Sequence, residues 1–522
     1  MKPVIRAPGG HGELACDPPM VDLPGLLMGQ GSNLLDTSGW QWSLRRQARR
    51  EFLGELPGNE TSIDPEKPWV GTGHQPELFH PGVWAKNFVA GGMASSLGTT
   101  SFHVVIDTDS PKEMGIRLPD LQLTEQARRA RLCLFANSKP GTPWAQIAAD
   151  PVSLPAFSHQ IEAWVGQADF LPLAKDWLRI FEQKIGLQPV GPTWTAFHHA
   201  RSRVEEDWGL RQPFLPMSRV AGFPSFLELV RRFLMDARRA RMAYNQALDN
   251  FRSFHQLETP GRPVPFLEER EDGWGEAPLW LILNGSESRG RLWVKEEQGA
   301  FYLTTDPQGC HLLTLKGDLE TGLARLVESG VRLWPRALFT TLYLRAFVFD
   351  WFVHGIGGAL YDQVSEDWAL RWLKLTPGPL VAASLTLRLP LYPARSGTGK
   401  MREAEQFQRH QYWNPDRLLE SHEKKRHRLL LDELRALRDD SPKPGIAAKN
   451  RFHRIRRLLE ALRGFTQGRL EESLTEVGRL RHFSQEEQLV NNREYAYLLH
   501  PVESLRKHLQ PLLNLRETAA TN

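Results

Sequence analysis

The sequence lacks the features that mark several large classes of protein. Its three cysteines, Cys16, Cys133 and Cys310, are far apart and show no CxxC spacing. Neither a disulfide framework nor a cysteine zinc site is therefore indicated. The chain contains no run of about 18 uncharged apolar residues, and its N-terminus lacks the apolar stretch of a signal peptide. We therefore expect a cytoplasmic protein with no membrane partner.

An excess of charge of one sign is also missing. The 65 Lys and Arg residues nearly balance the 61 Asp and Glu residues, for a formal net charge of +4. This balance argues against nucleic acid as an obligatory partner. No HExxH motif occurs, and the adjacent His198 and His199 have the wrong spacing for two ligands on one helix face. No metal is therefore assigned.

The stretch VGTGHQPELFHPGVWAKNF, residues 70–88, concentrates polar side chains and glycines between few apolar anchors. A short apolar run leads into it, and a helix-like apolar spacing follows. The next apolar run, FHVVIDTDS, ends in Asp107 and Asp109, as a buried parallel strand with acids at its carboxyl end would. Strand, helix and strand in this order predict a βαβ unit, and hence an α/β protein with a doubly wound parallel sheet.

We predict six segments along the 522 residues. They are an N-terminal wrapping segment (1–66), the first part of the core (67–222), a helix with a small antiparallel β insertion (223–330), the second part of the core with a glycine-rich loop (331–414), a helical arm (415–490) and a closing segment (491–522). Within the insertion, residues 223–252 have the pattern of one long amphipathic helix introduced by Pro224 and Ser225.

The arm carries apolar stripes at helical spacing on both sides of the breaker DDSPKPG. The stripes comprise Leu430, Leu434 and Leu437, then Ile455, Leu458, Leu459 and Leu462, and then Leu470, Leu474, Val477 and Leu480. This pattern predicts an antiparallel helical hairpin or coiled coil. Its many Lys and Arg residues, such as Arg454, Arg456 and Arg457, form either a solvated helix face or a surface that binds an anion or a partner.

The loop between the predicted strand and helix, Gly71 to Gly82, is the first candidate site. Ligands of doubly wound sheets bind beyond the carboxyl ends of the strands, where such loops lie. We expect His74, Gln75 and His80 to contact a substrate there, unless the histidines only pack the loop. Lys86 and Asn87 begin the following helix, where a lysine is unfavourable without an anion.

The acids after the next strand allow two interpretations. Asp107 and Asp109 bind a substrate amine or Mg²⁺, or act as a general base, or else they cap the following helix.

A second polar loop, FVHGIGGALYDQ, combines glycines that permit a close backbone approach with side chains able to bind a polar substrate. The glycines are Gly355, Gly357 and Gly358, and the side chains are His354, Tyr361 and Asp362. Two such loops nearly three hundred residues apart predict one cleft closed by both.

Taken together, these stretches resemble the bacillithiol-biosynthesis cysteine-adding enzymes (BshC). The first family motif, TGQQxGLxxGPLYTxYK, is matched at Thr72, Gly73, Gln75, Leu78, Gly82 and Lys86. The later motif, PRxLxRPLxQDxLLPTxAYxGGPxExAYxAQL, is matched at Pro335, Arg336, Leu338, Gly355, Gly357, Tyr361 and Gln363. The order and spacing agree over roughly residues 65–515. The chain departs from the family at His74, which replaces the first Gln of QQ, and at GIGGAL, which lacks the family's glutamate.

The resemblance implies a Rossmann-like core with connecting insertions and a coiled-coil arm that forms a homodimer. It also implies a ligase that joins cysteine, or a related amine, to a small amino-sugar malate conjugate. We assign catalytic roles to His74, His80, Asp107 and Asp109. We assign substrate binding to Thr72, Gly73, Gln75, Lys86, Asn87, Arg336, His354, Gly355, Gly357, Gly358, Tyr361 and Asp362.

Two alternatives remain open. GHQPELFHPGVW also resembles the HxGH loop of nucleotidylyltransferases, with His80 and Gly82 aligned but Val83 in place of the second histidine. This resemblance leaves ATP or ADP open as a cofactor and weakens nucleotidyl transfer, because an imidazole that stabilises phosphate charge is missing. The other alternative is a non-catalytic scaffold that docks a partner through its basic arm.

Overall fold

The structure is a computed structural model that describes residues 5–29, 39–56, 63–121, 130–136, 139, 141–150, 152–187, 191–257, 264–308, 313–391, 398–440 and 445–515. It divides into two compact units. The larger comprises Met1–Leu118, Leu132–Leu389 and Arg493–Asn522, and the smaller comprises Pro119–Arg131 and Pro390–Asn492. Among the helices described, none has the length and apolar character needed to cross a membrane.

Strands and helices are numbered separately in chain order. The strands are β1 (Leu14–Asp17), β2 (Val70–His74), β3 (Ser101–Val105), β4 (Gly115–Pro119), β5 (Ala130–Leu134), β6 (Phe214–Pro216), β7 (Gly275–Ile282), β8 (Gly290–Glu297), β9 (Ala300–Thr304), β10 (Leu313–Leu315), β11 (Arg332–Pro335), β12 (Trp351–His354) and β13 (Leu380–Leu385). The helices are α1 (Leu23–Gly29), α2 (Trp40–Gly54), α3 (Pro81–Ser96), α4 (Ser153–Val165), α5 (Ala174–Leu187), α6 (Trp194–Asp207), α7 (Met217–Val220), α8 (Pro224–Met235), α9 (Ala237–His255), α10 (Leu319–Glu328), α11 (Ala337–Tyr343), α12 (Ile356–Trp372), α13 (Thr398–Trp413), α14 (Ser421–Arg426), α15 (Arg428–Asp439), α16 (Ile446–Asn491) and α17 (Val502–Leu509).

A six-stranded sheet in the order β1-β13-β12-β2-β3-β6 forms the centre of the larger unit. Its pairs are parallel except for β1, which pairs antiparallel with β13 at the edge. The predicted α/β class and mostly parallel sheet are confirmed. Strand β1 lies in the segment predicted to wrap the core. It was not predicted as a strand, because its partner β13 lies far along the chain and no local sequence pattern indicates the pairing.

The chain winds outward from the middle of this sheet in two directions. Strand β2 leads through α3 to β3 on one side, whereas β12 leads through α12 to β13 on the other. Because such crossovers are right-handed, opposite directions place α3 and α12 on opposite faces of the sheet. Trp368 of α12 joins Phe102 and Phe352 in one buried cluster, while α3 packs against the C-terminal turn Gln510–Leu513.

A buried carboxylate attaches α2 to this sheet. Asp350, just before β12, forms ion pairs with Arg45 and Arg49 of α2, all three being nearly inaccessible to solvent. The same carboxylate accepts a hydrogen bond of 2.6 Å from the backbone N–H of Trp69, just before β2. One side chain thus fixes the starts of the two central strands and the helix that covers them.

The predicted β insertion is a five-stranded antiparallel sheet in the order β10-β9-β8-β7-β11. The three predicted strands are confirmed as β7, β8 and β9. The prediction of one helix over 223–252 is wrong, since α8 and α9 are separated at Asp236, which has φ −130° and ψ 29°. The break lets α9 pack on α12, where Tyr244 meets Trp368 at 5.2 Å between ring centroids.

The smaller unit is largely helical. Leu434 of α15 packs with Leu458, Leu459 and Leu462 of α16 in a separate apolar cluster. Contacts along the two helices run in opposite order, from Arg451 with the Leu437 carbonyl to Arg454 with Glu433. The predicted antiparallel packing of these stripes is therefore confirmed. The helical region begins before residue 415, the predicted start of the arm. Helix α13 ends at Trp413 and packs on α16.

Candidate functional site

The point where the winding direction reverses lies between β12 and β2. At such a point the helices that follow two neighbouring strands diverge, and a crevice opens beyond the carboxyl ends of those strands. Strand β2 ends at His74, and β12 ends at His354. Thr72 pairs with Val353 in the register between them. The two loops that the sequence singled out therefore meet at one edge of one sheet.

His74 is partly buried and has a defined tautomer. Its Nδ1 lies 3.0 Å from the carbonyl oxygen of Gln75, and a carbonyl only accepts, so Nδ1 carries the proton and Nε2 keeps a lone pair. The ring packs edge-on against Phe79 at 5.2 Å. Burial, and then the nearby Lys86, hold the pKa of His74 well below its usual range. The imidazole is a neutral proton acceptor at pH 7.

His354 is held against the start of α12. Gly358 leaves the necessary space, since a Cβ there would lie 2.1 Å from Nδ1 of His354. Its Nε2 is buried without a hydrogen-bond partner among the described residues. Burial lowers the pKa of His354 to about 4, although Asp362 opposes the shift. This second imidazole is also neutral at pH 7, and its unpaired nitrogen is available to a ligand once the loop admits one.

Lys86 has no exposed surface. A lysine that binds an anion from solution would instead be accessible to solvent. Its Nζ donates to the carbonyl oxygen of Gly73. Burial and the charge of Arg201 hold the pKa of Lys86 well below its usual range. Lys86 thus acts on the site as a buried amine behind His74, and it does not meet the substrate in this conformation.

Three other predicted residues have buried structural partners. The hydroxyl of Thr72 donates to the Val353 carbonyl at 2.9 Å, and Asn87 donates to Glu205 at 2.8 Å. Asp107 accepts from the backbone N–H and the hydroxyl of Ser218 at 2.8 and 2.5 Å, and it thereby caps the start of α7. Burial raises the pKa of Asp107 to about 6. Asp107 thus supports α7, a helix far along the chain, and not a helix that directly follows it as the capping interpretation had it.

Asp109 follows β3 and is already paired. Its carboxylate accepts from Gln75 at 2.9 Å and from Arg289 at 2.9 Å. Arg289 also donates to the Thr108 carbonyl at 2.7 Å and stacks over Trp280. Gln75 and Asp109 therefore form one polar wall with an arginine from the inserted sheet. Arg289 could not be predicted from the sequence, because no local pattern relates it to Asp109.

Glu77 lies near this wall and belongs to the stretch of residues 70–88. It was not among the site residues predicted from the sequence. One of its carboxylate oxygens is buried without a hydrogen-bond partner among the described residues. Burial raises the pKa of Glu77, although Lys112 opposes the shift. An acid with an unpaired oxygen beside the crevice is a further candidate for proton transfer. The feature of the sequence that could have identified Glu77 was its position in a polar, glycine-rich loop.

Some residues of the second loop have open space around them, whereas others are buried. Gly355 and Gly357 have no atom within 4 Å of the position a Cβ would take, and Tyr361 is exposed. Asp362 is buried against the Arg345 guanidinium at 2.5 Å, and Arg345 also donates to Glu366 at 2.6 Å. Burial alone would raise the pKa of Asp362, but Arg345 and His354 hold it below its ordinary value. Asp362 thus supports the loop electrostatically.

His80 forms the N-cap of α3, and its neighbours define its role. Its Nδ1 accepts from the Gly82 N–H at 3.1 Å, so its proton is on Nε2. Burial, and then the charge of Arg493, lower the pKa of His80 to about 4. Arg336 does not join this group of residues. It forms an ion pair with the buried Glu276 and lies over Trp280 in the inserted sheet.

A metal centre has no support from the described side chains, among which no three His, Cys, Asp or Glu residues gather in a way that could hold an ion. What the edge of the sheet offers instead is a pair of neutral imidazoles, two glycine-rich helix starts and a paired Asp–Arg wall. This arrangement can accept protons and bind a polar, negatively charged molecule. The chain matches no protein-family model and no curated protein.

Proposed function

We propose that the chain is an enzyme that forms a C–N bond between an amine and a carboxyl group, as in the cysteine-adding family that its motifs resemble. The single observation that carries the proposal is the placement of two neutral imidazoles, His74 and His354, at the carboxyl ends of adjacent parallel strands. The carboxyl ends of such strands are where α/β enzymes bind small molecules.

The chemistry follows from the tautomer of His74. The amine nitrogen bonds to the carboxyl carbon, one carboxyl oxygen leaves, and the amine proton passes to Nε2 of His74. A weak base is sufficient, because an amine becomes strongly acidic once it has attacked a carbonyl. A nucleoside triphosphate would supply the activation by transferring a phosphoryl group to the departing oxygen, which would then leave as part of phosphate. The open glycines at the start of α12 provide backbone N–H groups for its phosphates.

The proposal assigns supporting roles to the remaining residues. Asp109, fixed by Gln75 and Arg289, presents a negative charge that holds the ammonium group of an amino-acid substrate. Burial, and then the nearby Lys86, lower the pKa of His74 and so keep its imidazole unprotonated before reaction. A cysteine joined to a small amino-sugar acid satisfies these requirements.

The experiment is incubation of the purified protein with cysteine, an amino-sugar malate conjugate and ATP, with the coupled product measured by mass spectrometry. His74→Ala should lower the rate by about a hundredfold or more, the usual contribution of a general base. His159→Ala is the matched control, since His159 is an exposed histidine on α4. Product formed equally fast by His74→Ala would exclude this role, and absence of product from the wild type would exclude this substrate pair.

One observation favours a different class of function. Lys424, Lys425 and Arg426 of α14 are exposed and form no ion pair with any described residue. These three cations are available to dock an acidic partner through the smaller unit. Such a scaffold would tolerate His74→Ala and lose its partner when the three are changed to Gln, with a strong salt dependence if the partner is nucleic acid.

A further inference from the structure

Arg493 is a partly buried arginine that forms no ion pair with any acid in the described part of the chain. Its Nη2 donates to the hydroxyl of Ser384 at 2.7 Å and to the carbonyl of Leu385 at 2.9 Å. Its Nε is buried without a hydrogen-bond partner, and it forms no ion pair with any described residue. Burial lowers the pKa of Arg493, although the charge of the adjacent Glu494 opposes the shift. A guanidinium in this state has donors to spare.

Gly82 shows how closely this arginine approaches the first loop. A Cβ on Gly82 would lie 2.3 Å from Nη2 of Arg493, 2.7 Å from Cε1 of His80 and 2.4 Å from the Leu385 carbonyl oxygen. Only glycine lets the guanidinium and the imidazole meet at this point. Because Nδ1 of His80 accepts from the Gly82 N–H, its other nitrogen carries a proton and is a donor.

We propose that Arg493, His80 and Ser384 form a subsite for an oxyanion, and that the oxyanion is the carboxylate of the small substrate. Arg493 and His80 both lie against Gly82, Ser384 is bonded to Arg493, and no described carboxylate forms an ion pair with this arginine. Because Nη2 donates both of its hydrogens to Ser384 and Leu385, Nε and Nη1 hold the remaining donors of Arg493, and the charge of the guanidinium strengthens each of them toward a carboxylate oxygen. Ser384 is buried, accepts from Arg493 and retains its own proton to donate.

The subsite lies beside the proposed base. His80 is near enough to His74 that its protonation would lower the pKa of His74. Leu385 ends β13, the strand next to β12. A substrate held by its carboxylate at Arg493 would therefore extend its reacting group toward His74 and His354. This orientation rests on the proposed function, whereas the subsite itself needs only the three donors.

The test is isothermal titration of L-malate and of inorganic phosphate into the full chain at constant ionic strength. Wild type should bind malate, and Arg493→Gln should weaken binding about tenfold or more, as expected for loss of a charge-assisted pair. Arg493→Lys, which keeps the charge and has fewer donors, should recover part of the affinity. Arg506→Gln removes an exposed arginine of α17 and should change nothing.

The melting temperature separates binding from folding. Since Arg493 is an uncompensated cation, Arg493→Gln should melt at the wild-type temperature or above it, whereas an arginine that only supports the fold would give a lower value.

Equal malate affinity in Arg493→Gln, or no binding of either anion by the wild type, would overturn the subsite. Tighter, Arg493-dependent binding of phosphate would identify a phosphate as the oxyanion and overturn the carboxylate assignment. Loss of turnover in His74→Ala with unchanged malate binding in Arg493→Gln would overturn the subsite alone, and the reverse pattern would overturn only the proposed function.

Discussion

At the scale of single residues, the site depends on histidines that burial keeps neutral. The pKa of His354 is lowered to about 4 in the folded chain, while in the unfolded chain it is near 6.5. Between these values the unfolded state binds more protons than the folded state. Stability contributed by this residue is therefore complete above about pH 6.5 and falls as the pH drops toward 4.

A substitution isolates this effect from other titrating groups. His354→Gln removes the titration, so its free energy of unfolding should fall less steeply with acid than that of the wild type. The difference in slope should approach about 1.4 kcal/mol per pH unit between pH 6 and 4.5. Urea unfolding at several pH values measures it. Parallel stability curves for the two proteins would mean that His354 is not buried as a neutral group.

Asp350 carries a second prediction at this scale. Its carboxylate pairs with both Arg45 and Arg49, and it opposes the effects of burial and of Arg49, which lower the pKa of Arg45 to about 10. Asp350→Ala leaves two buried cations unpaired and should cost about 3–5 kcal/mol. Glu206→Ala, which breaks an exposed pair with Arg203, should cost less than about 1 kcal/mol. Chemical denaturation compares the two, and similar losses would contradict the anchoring role of Asp350.

At the scale of elements, the first turn of α12 sets the position of His354. A Cβ on Gly358 would overlap the imidazole, whereas one on Gly357 would meet open space. Gly357→Ala should stabilise the protein by up to about 1 kcal/mol through helix propensity. Gly358→Ala should instead displace His354 and slow turnover. Rates and melting temperatures of the two variants measure this, and equal behaviour would mean that the packing of His354 on α12 is unimportant.

The elements also show which parts of the fold are encoded locally. The apolar run before Gly71 and the helical spacing after Pro81 predicted β2 and α3, because both depend on neighbouring residues. The split at Asp236 was not predictable from periodicity, since the apolar stripe continues through it and only packing of α9 on α12 requires the turn. Strand β1 was missed for a similar reason, as its partner β13 lies far along the chain.

The candidate site follows the same division. Sequence spacing located both loops, because glycines, histidines and strand ends occur together in each. It did not separate residues that face the crevice from residues that support it. Lys86 and Asp107 are polar and close to the loops in sequence, yet their contacts are buried. Arg493 and Arg289 contact the loop regions from distant segments, which only tertiary structure reveals.

At the scale of the whole molecule, the smaller unit has a core of its own. Leu462 of α16 is fully buried in the cluster with Leu434, whereas Leu429 of α15 is 85% exposed. Leu462→Ala should destabilise this unit by about 2–5 kcal/mol, and Leu429→Ala by less than about 0.5 kcal/mol. Hydrogen exchange of α15 and α16 measures the loss locally. Equal protection in the two variants would contradict the hairpin core.

The central claim is that His74 and His354, 280 positions apart in the sequence, act in one site. The most direct measurement is a double-mutant cycle on the thermal stabilisation produced by ATP, cysteine and the amino-sugar conjugate, using His74→Ala, His354→Ala and the pair. The account predicts that a ligand stabilises the wild type, that each single variant loses most of this shift, and that the double variant loses little more. Independent, additive losses, or a full shift in either single variant, would contradict it.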